Sequence, residues 1–254
     1  MTVLVTGGTG TLGRPTVGAL RTAAVEPHIL SRRPGLSHVV ADLGTGAGLP
    51  EAVDGIETVL HLATNRRSDA RATQRLLDAA RSAGVHHFVY VSIVGVDAVP
   101  LSYYRSKLAC ERLVADSGVP FTIVRVTQFH DFVAGFFRAQ RRLPRVIALD
   151  LPFQPISTEA VAARLVELVS GAPVQGRVAD LGGPESLSMA ELARQWLETH
   201  GTARQAAERR VVERRVVEWH LPGGLAAAYR AGRHTTGVPG PGIRFAEWAA
   251  TASR

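Results

Sequence analysis

A glycine-rich segment near the start of the chain constrains its fold most strongly. Residues 6–13 read TGGTGTLG, directly after the apolar run Val3–Val5 and ahead of a helical pattern. In this context Gly7 permits a tight turn, Gly10 lets the backbone approach a pyrophosphate, and Gly13 lets the helix pack closely on the strand. The free N–H groups at the helix start would bind the pyrophosphate. The predicted phosphate-binding residues are Gly7, Thr9, Gly10, Thr11, Leu12 and Gly13.

Short β-branched runs alternate with helical patterns through the first half of the chain. The runs lack strict polar alternation, which is typical of strands buried on both faces of a parallel sheet. Strands separated by helices of this length form right-handed βαβ units. The sequence therefore predicts an α/β fold with a doubly wound parallel sheet (Rossmann) over residues 1–126. The predicted strands are Val3–Val5, Pro27–Ser31, His38–Ala41, Thr58–Ala63, His87–Val94 and Phe121–Val126, and the predicted helices are Leu12–Ala24, Asp69–Ala83 and Tyr104–Ser117.

The alternation breaks after Val126, where prolines separate shorter segments. Residues 127–254 are predicted to form a small C-terminal substrate lobe of mixed α/β structure that partly completes the core sheet. We expect this lobe to cover the carboxyl ends of the strands. Its predicted helices are Thr158–Ser170, one that begins near a capping box at Ser188–Glu191, and Ala246–Ala252.

Composition excludes several classes of protein. The net charge is +7, but Lys107 is the only lysine among 29 basic residues, so the arginines reflect a bias of the whole chain and no nucleic acid is expected as a partner. The single cysteine, Cys110, excludes a disulfide framework, and no residue spacing indicates a metal site. No run approaches about 18 apolar residues and the start lacks a basic leader, so we expect no membrane span and a cytoplasmic location.

The end of the second predicted strand indicates which dinucleotide binds. Chains that bind NAD(H) usually carry an acid here for the ribose 2′-hydroxyl, whereas this chain has Ser31, Arg32 and Arg33. Two guanidiniums suit a 2′-phosphate, which favours NADP(H) over NAD(H) as cofactor. The alternative is that both arginines are merely solvated. Asp42 and Leu43, after the third strand, are expected to flank the adenine, although a solvated aspartate fits equally well.

Tyr103 and Lys107 have the spacing Y-x-x-x-K in the segment SYYRSK. Residues four apart lie on one face of a helix. A neighbouring ammonium lowers the pKa of a phenol, and this makes the phenol a competent acid or base near neutral pH. The alternative is an ordinary pair on a helix surface.

These motifs together resemble the short-chain dehydrogenase/reductase superfamily. The motifs that carry this resemblance are TGGTGTLG, the strand that ends in VYVS, and Y-x-x-x-K. Four further segments resemble the atypical NmrA-like branch of NAD(P)-binding proteins within the superfamily: SIVGVD, YYRSKLACE, RVTQFHDF and LGGPESLS. The resemblance implies that Tyr103 is the acid/base and that Lys107 binds the nicotinamide ribose. It also implies that the cofactor is lined by Ala63, Thr64, Asn65, Ser92 and Thr127, and that Ile93, Gln128, Phe129 and His130 lie near the substrate.

One position departs from the pattern of the superfamily. Ile93 occupies the place where active members usually carry a serine that polarises the substrate carbonyl. Loss of such a donor lowers the rate by about 10²–10³ where it is needed. His130 is a candidate second proton donor, although a loop residue that only shapes the pocket is the alternative. His61 lies within a strand and is interpreted as a satisfied core histidine.

The sequence leaves two principal functions open. The first is an NADP(H)-dependent oxidoreductase that acts on a small apolar carbonyl, quinone or activated alkene. The alternative is a regulatory protein that senses redox state by binding NADP(H), exchanges protein partners and performs no turnover; Ile93 favours it, whereas Tyr103 and Lys107 favour the enzyme. A non-redox reaction on a nucleotide-bound sugar is a third option, which the small lobe disfavours.

Overall fold

The computed structural model of the chain describes residues 1–64, 69–208 and 215–252. These residues form two compact units. The first consists of 1–97, 101–126 and 161–180, and the second of 98–100, 127–160 and 181–254. The chain therefore enters the second unit after residue 126 and returns to the first for residues 161–180.

A parallel sheet forms the centre of the first unit. Among the described residues it has seven strands in the order β3-β2-β1-β4-β5-β6-β9. The order reverses between β1 and β4, so a crevice opens outside the carboxyl ends of these two strands, where doubly wound sheets bind their ligands. The strands are β1 (Val3–Thr6), β2 (His28–Ser31), β3 (His38–Val40), β4 (Thr58–His61), β5 (His87–Ile93), β6 (Phe121–Val126) and β9 (Gly176–Arg177).

Apolar side chains hold helices against this sheet. Leu4, Val59 and Phe88 lie in adjacent strands and are fully buried, and Leu76 and Val114 pack against them from two helices. Burial of each such side chain stabilises the fold by about 1.5–3 kcal/mol. The helices are α1 (Gly13–Thr22), α2 (Leu49–Val53), α3 (Asp69–Ser82), α4 (Ser102–Asp116) and α6 (Thr158–Ser170), the last of which begins in the second unit.

A buried ion-pair cluster fixes α4 to β6. The guanidinium of Arg125 donates to both carboxylate oxygens of Glu111, at 2.8 and 2.7 Å, and to Asp97 at 2.8 Å. Arg125 and Glu111 are both less than a tenth exposed. Bidentate pairing of this kind restricts orientation as well as distance. The helix that carries Tyr103 and Lys107 therefore has a fixed position on the sheet.

The second unit packs around a separate apolar core. Phe137, Trp196, Phe245 and Trp248 are buried there, with their rings in contact. Within the described ranges, no helix is long and apolar enough to cross a membrane. The elements are α5 (His130–Ala139), β7 (Val146–Leu149), β8 (Pro152–Phe153), β10 (Leu187–Ser188), α7 (Met189–Glu208), β11 (Val216–Trp219), α8 (Gly224–Arg230) and α9 (Phe245–Thr251).

The predicted α/β fold with its doubly wound parallel sheet is confirmed. The six predicted strands and the three helices of the first half all form, with ends displaced by one or two residues. The capping box also forms: Ser188 N–H donates to Glu191 Oε2 at 2.7 Å, and Glu191 N–H donates to Ser188 Oγ at 3.2 Å. The sequence did not predict α2, α5, α8 or the short strands β7 to β11.

Candidate cofactor-binding and catalytic site

Two glycines of the loop after β1, Gly7 and Gly13, are packed too closely to carry a side chain. Gly7 has φ +71°, and a Cβ there would lie 2.7 Å from the backbone nitrogen of Ala63. A Cβ on Gly13 would lie 2.0 Å from the carbonyl oxygen of Gly7. Gly10 is exposed, and a Cβ there would meet only the Gly7 oxygen, at 3.2 Å. Gly7 and Gly13 therefore shape the loop, whereas Gly10 leaves its outer surface open.

The start of α1 has the properties of an anion site. Among the hydrogen bonds of the described residues, the N–H groups of Thr11 and Leu12 have no protein acceptor. No side chain caps the helix, and its first turn contains no acid. Free N–H groups and the positive end of the helix dipole both favour a phosphate. A diphosphate therefore fits this loop, and Thr9 is exposed beside it.

The arginines predicted to bind a 2′-phosphate lie at the end of β2 and are exposed. The hydroxyl of Ser31 accepts a hydrogen bond from the backbone N–H of Arg33 at 3.1 Å, and His38 Nδ1 lies 3.2 Å from the Arg33 carbonyl oxygen. In the described part of the chain, neither Arg32 nor Arg33 forms an ion pair. Both guanidiniums are therefore available to an anion.

Asp42 shapes the loop after β3. Its Oδ1 accepts a hydrogen bond from Gly44 N–H at 2.7 Å, which closes an Asx turn. Arg75 on α3 donates to the carbonyl oxygens of Leu43 and Gly44 at 3.5 and 2.5 Å. That Asp42 and Leu43 flank an adenine stays a prediction, and the turn gives Asp42 a structural role as well.

A buried chain of hydrogen bonds joins the ends of β1 and β4 to two helices. Thr73 donates to Cys110 Sγ at 3.6 Å, so it accepts from the Nε2–H of His61, 3.1 Å away. His61 Nδ1 then accepts from the Thr6 hydroxyl at 2.7 Å, and Thr6 accepts from Ala63 N–H at 3.2 Å. His61 is therefore neutral and bonded at both nitrogens, in agreement with its interpretation as a core histidine.

Burial and, to a smaller extent, the nearby ammonium of Lys107 together lower the pKa of His61 to about 3. Burial likewise lowers the pKa of His130 to about 4. Both rings are therefore neutral in the folded protein at neutral pH.

Tyr103 and Lys107 lie on one face of α4, as predicted, and next to the end of β4. The phenol oxygen of Tyr103 is 3.3 Å from Thr64 Oγ1, and Thr64 donates to Asp69 Oδ2 at 2.8 Å. Lys107 is 6% exposed, and its Nζ lies 4.3 Å from the centroid of the Tyr90 ring. Burial lowers the pKa of Lys107, and the negative charge of Asp69 opposes this effect.

A continuous set of contacts therefore links the glycine loop to the phenol. Gly7 packs on Ala63, the next residue is Thr64, and Thr64 contacts Tyr103. Ala63 and Thr64 thus lie where the sequence predicts a cofactor lining, at the point where the strand order reverses. Asn65 lies outside the described residues.

Ser92 and Ile93 end β5. Ser92 is 1% exposed, and its hydroxyl has no partner among the described residues, while Ile93 is half-buried. Successive strand residues point to opposite faces, so Ser92 does not take the place of the missing serine at 93. The prediction that Ser92 contacts the cofactor is untested.

The remaining predicted residues belong to the second unit. Thr127 N–H donates to the Leu181 carbonyl oxygen at 3.0 Å, and Gln128 Nε2 donates to the His234 carbonyl oxygen at 3.3 Å. Phe129 is half-buried beside Ile156.

The position predicted for His130 requires a correction. His130 is the first residue of α5 rather than a loop residue, and it is fully buried. Its Nε2 lies 3.1 Å from the Ile243 carbonyl oxygen, and its ring packs against Phe245 and Trp248. The ring is therefore closed off from solvent, and a role for His130 as a second proton donor stays a prediction.

Two of the buried histidines, His61 and His130, have the largest lowering of pKa and predict a pH dependence of stability. Because their pKa values are lower in the folded than in the unfolded state, where 6.5 applies, the unfolded chain binds more protons below pH 6.5. Each histidine therefore lowers the free energy of unfolding by up to about 1.4 kcal/mol per pH unit as the pH falls from 6.5 towards 4. Denaturant unfolding at several pH values should show this slope, and His61→Gln should reduce it. The exposed His86→Gln is the control; equal slopes for all three proteins would contradict the account.

Sequence reasoning missed Asp69 as a site residue, and it missed Tyr90. Asp69 was predicted only to begin a helix, and Tyr90 only to lie in a strand. Their roles follow from strand order, which brings the end of β4, the start of α3 and the first turns of α4 together. The available signal was a hydroxyl residue just after a strand, Thr64, followed five residues later by an acid, Asp69.

Comparison with known proteins identifies the family. The family model described as NAD(P)H-binding matches residues 7–171. The (4-alkanoyl-5-oxo-2,5-dihydrofuran-3-yl)methyl phosphate reductase of Streptomyces griseus is 33% identical over 205 residues, covering 76% of this chain and 72% of that protein. Quinone oxidoreductase 2 of Escherichia coli is 25% identical over 213 residues, covering 78% of this chain and 74% of that protein.

Solved structures agree in fold. The NADPH-dependent quinone oxidoreductase of Escherichia coli in complex with NADPH superposes with a TM-score of 0.77 at 20% identity, covering 99% of this chain and 100% of that one. A nucleoside-diphosphate-sugar epimerase of Staphylococcus aureus superposes with a TM-score of 0.72 at 19% identity, covering 99% of this chain and 96% of that one. The predicted NADP(H) cofactor is confirmed at the level of the family, whose members bind NAD(P)H. The chain belongs to the NAD(P)H-binding family.

Proposed function

We propose that the chain is an NADP(H)-dependent oxidoreductase that reduces a small apolar carbonyl, quinone or activated alkene, with Tyr103 as the proton donor. One observation carries the proposal: the phenol of Tyr103 and the buried ammonium of Lys107 lie beside the end of β4, in contact through Thr64 and Ala63 with the glycine loop. The reductase and the quinone oxidoreductase among its relatives support the same class of reaction.

Each residue of the site has a distinct role in this proposal. NADPH, when bound, supplies the hydride. The N–H groups of Thr11 and Leu12 hold its diphosphate, and the ammonium of Lys107 binds a ribose hydroxyl. Tyr103 gives its phenolic proton to the substrate atom that gains negative charge. Ile93 contributes no hydrogen bond there, which suits a substrate such as a quinone that is easily reduced without an additional donor.

The direct test is turnover. Purified protein is mixed with NADPH and, in separate reactions, with quinones, aldehydes and activated alkenes, and the loss of the absorbance of the reduced nicotinamide is followed. We expect oxidation with at least one substrate class, above the rate with NADPH alone. Tight NADPH binding without oxidation across the panel would overturn the enzymatic proposal.

That second outcome corresponds to the other candidate function, a regulatory protein that binds NADP(H) without turnover. Ile93 is the observation that favours it, because the usual polarising hydroxyl is absent at this position. Turnover of the unaltered chain separates the two functions: the enzyme oxidises NADPH with a substrate of the panel, whereas the regulator binds NADPH and oxidises it with none.

The exposed arginines after β2 predict a preference for NADPH. We expect Arg32→Ala to raise the Kd for NADPH about tenfold, since a charge-assisted hydrogen bond to the 2′-phosphate is lost, and to leave the Kd for NADH within about twofold. Equilibrium titration of both cofactors measures these values. Arg112→Ala, which removes an exposed arginine of α4, is the matched control. An equal loss for both cofactors would exclude a role in binding the 2′-phosphate.

A further inference from the structure

Three oxygen atoms form a hydrogen-bonded line on the edge of the site. The phenol of Tyr103 lies 3.3 Å from Thr64 Oγ1, and Thr64 Oγ1 donates to Asp69 Oδ2 at 2.8 Å. Thr64 is exposed, Tyr103 is half-buried and Asp69 is 5% exposed. The line therefore runs from a buried carboxylate on α3 to the proposed proton donor on α4.

The chemistry of Thr64, the middle residue of this line, determines which atom donates in each of the two hydrogen bonds. A threonine hydroxyl has one proton, and a carboxylate only accepts. Because Thr64 gives its proton to Asp69, it faces Tyr103 with a lone pair, and the phenol is the donor in that contact. Thr64 could stabilise a phenolate only by turning its proton away from Asp69.

The charged groups around the Tyr103 phenol have opposite effects on its ionisation. Lys107, one helical turn further along α4, favours the ionised phenol, whereas Asp69 on α3 disfavours it. Tyr90 on β5 is a further titratable group that interacts with Tyr103. Burial raises the pKa of Tyr90, so it adds no charge at neutral pH.

We propose that Thr64 is a positioning residue that keeps the phenol of Tyr103 protonated and oriented as a donor, and that Asp69 fixes the Thr64 hydroxyl in this role. The consequence concerns the resting site: its phenol carries the proton that reduction of a substrate consumes. The inference rests on the proposed function of Tyr103, but the state of the phenol can be measured without turnover.

The first experiment measures that state directly. The ultraviolet absorbance of tyrosinate is followed against pH for the full chain and for Tyr103→Phe, and the difference gives the ionisation step of the phenol at 103. We expect Asp69→Asn to move this step to lower pH by about one unit, because the opposing charge is lost. Asp116→Asn, which changes an exposed acid of α4, is the control and should leave the step in place. An unchanged or raised step in Asp69→Asn would overturn the proposal.

The second experiment uses exposed Thr64, whose replacement disturbs the buried core less than that of Asp69. Thr64→Val keeps the shape and removes the hydroxyl, whereas Thr64→Ser keeps the hydroxyl. We expect Thr64→Val to move the phenol step to lower pH and to reduce kcat for reduction at least about tenfold, and Thr64→Ser to restore both. Identical behaviour of the two variants would overturn the proposal. Absence of turnover in the unaltered chain, with the step shifted as expected, would instead refute the proposed function alone.

Discussion

Gly13→Ala is expected to weaken NADPH binding at least about 100-fold, because a small displacement of a pre-formed site has effects of this size. The new Cβ would lie 2.0 Å from the Gly7 carbonyl oxygen and 2.6 Å from Gly8 Cα. Both neighbours are backbone atoms, so the loop and the start of α1 must separate. That movement displaces the N–H groups that we expect to bind the diphosphate. Fluorescence titration with NADPH measures the change.

The same helix provides a matched control. Gly18 lies in α1 and is exposed, and a Cβ added there would have no neighbouring atom within 4 Å. Gly18→Ala should keep the affinity for NADPH and raise the free energy of unfolding by up to about 1 kcal/mol through helix propensity. Unaltered affinity in Gly13→Ala would show that the loop does not hold the cofactor.

Tyr103→Phe is expected to lower the rate of NADPH oxidation by about 10²–10⁴, which is the usual contribution of a positioned general acid. The substitution removes one oxygen atom from a half-buried ring and leaves the glycine loop unchanged. The Kd for NADPH should therefore stay within about twofold of its original value. Initial rates with the best substrate of the panel, together with the cofactor titration, measure both quantities.

Tyr104→Phe is the control for this experiment, because it removes the same group one residue further along α4. Tyr104 is 5% exposed and belongs to the buried face of the helix. We expect turnover to remain within about threefold, as for other substitutions that leave the reacting groups in place. If Tyr103→Phe retained full activity, another residue would have to supply the proton.

The sequence predicted the first unit in detail because its signals are local. A β-branched run, a glycine turn and an amphipathic helix each occupy about a dozen residues, and they repeat through the first half of the chain. Most of the elements that were missed are short, as in α2 (Leu49–Val53), β8 (Pro152–Phe153) and β10 (Leu187–Ser188). Strands of two residues form through pairing with distant segments, and no local pattern indicates such pairing.

The contacts of the site likewise divide into local ones, which the sequence predicted, and distant ones, which it did not. The relation between Tyr103 and Lys107 follows from four residues of helix, so the spacing alone predicts it. The contact between Thr64 and Tyr103 joins residues 39 apart, and it depends on the order of the strands. The sequence offered His130 as a proton donor or as a loop residue, whereas its burial against α9 depends on residues more than a hundred positions later.

A crystal structure of the chain with NADP⁺ tests the central claim most directly. The account predicts that the diphosphate contacts the N–H groups of Thr11 and Leu12 and that the Lys107 ammonium contacts a ribose hydroxyl, with the Tyr103 phenol beside the nicotinamide. A diphosphate bound away from the glycine loop, or a nicotinamide out of reach of Tyr103, would contradict it.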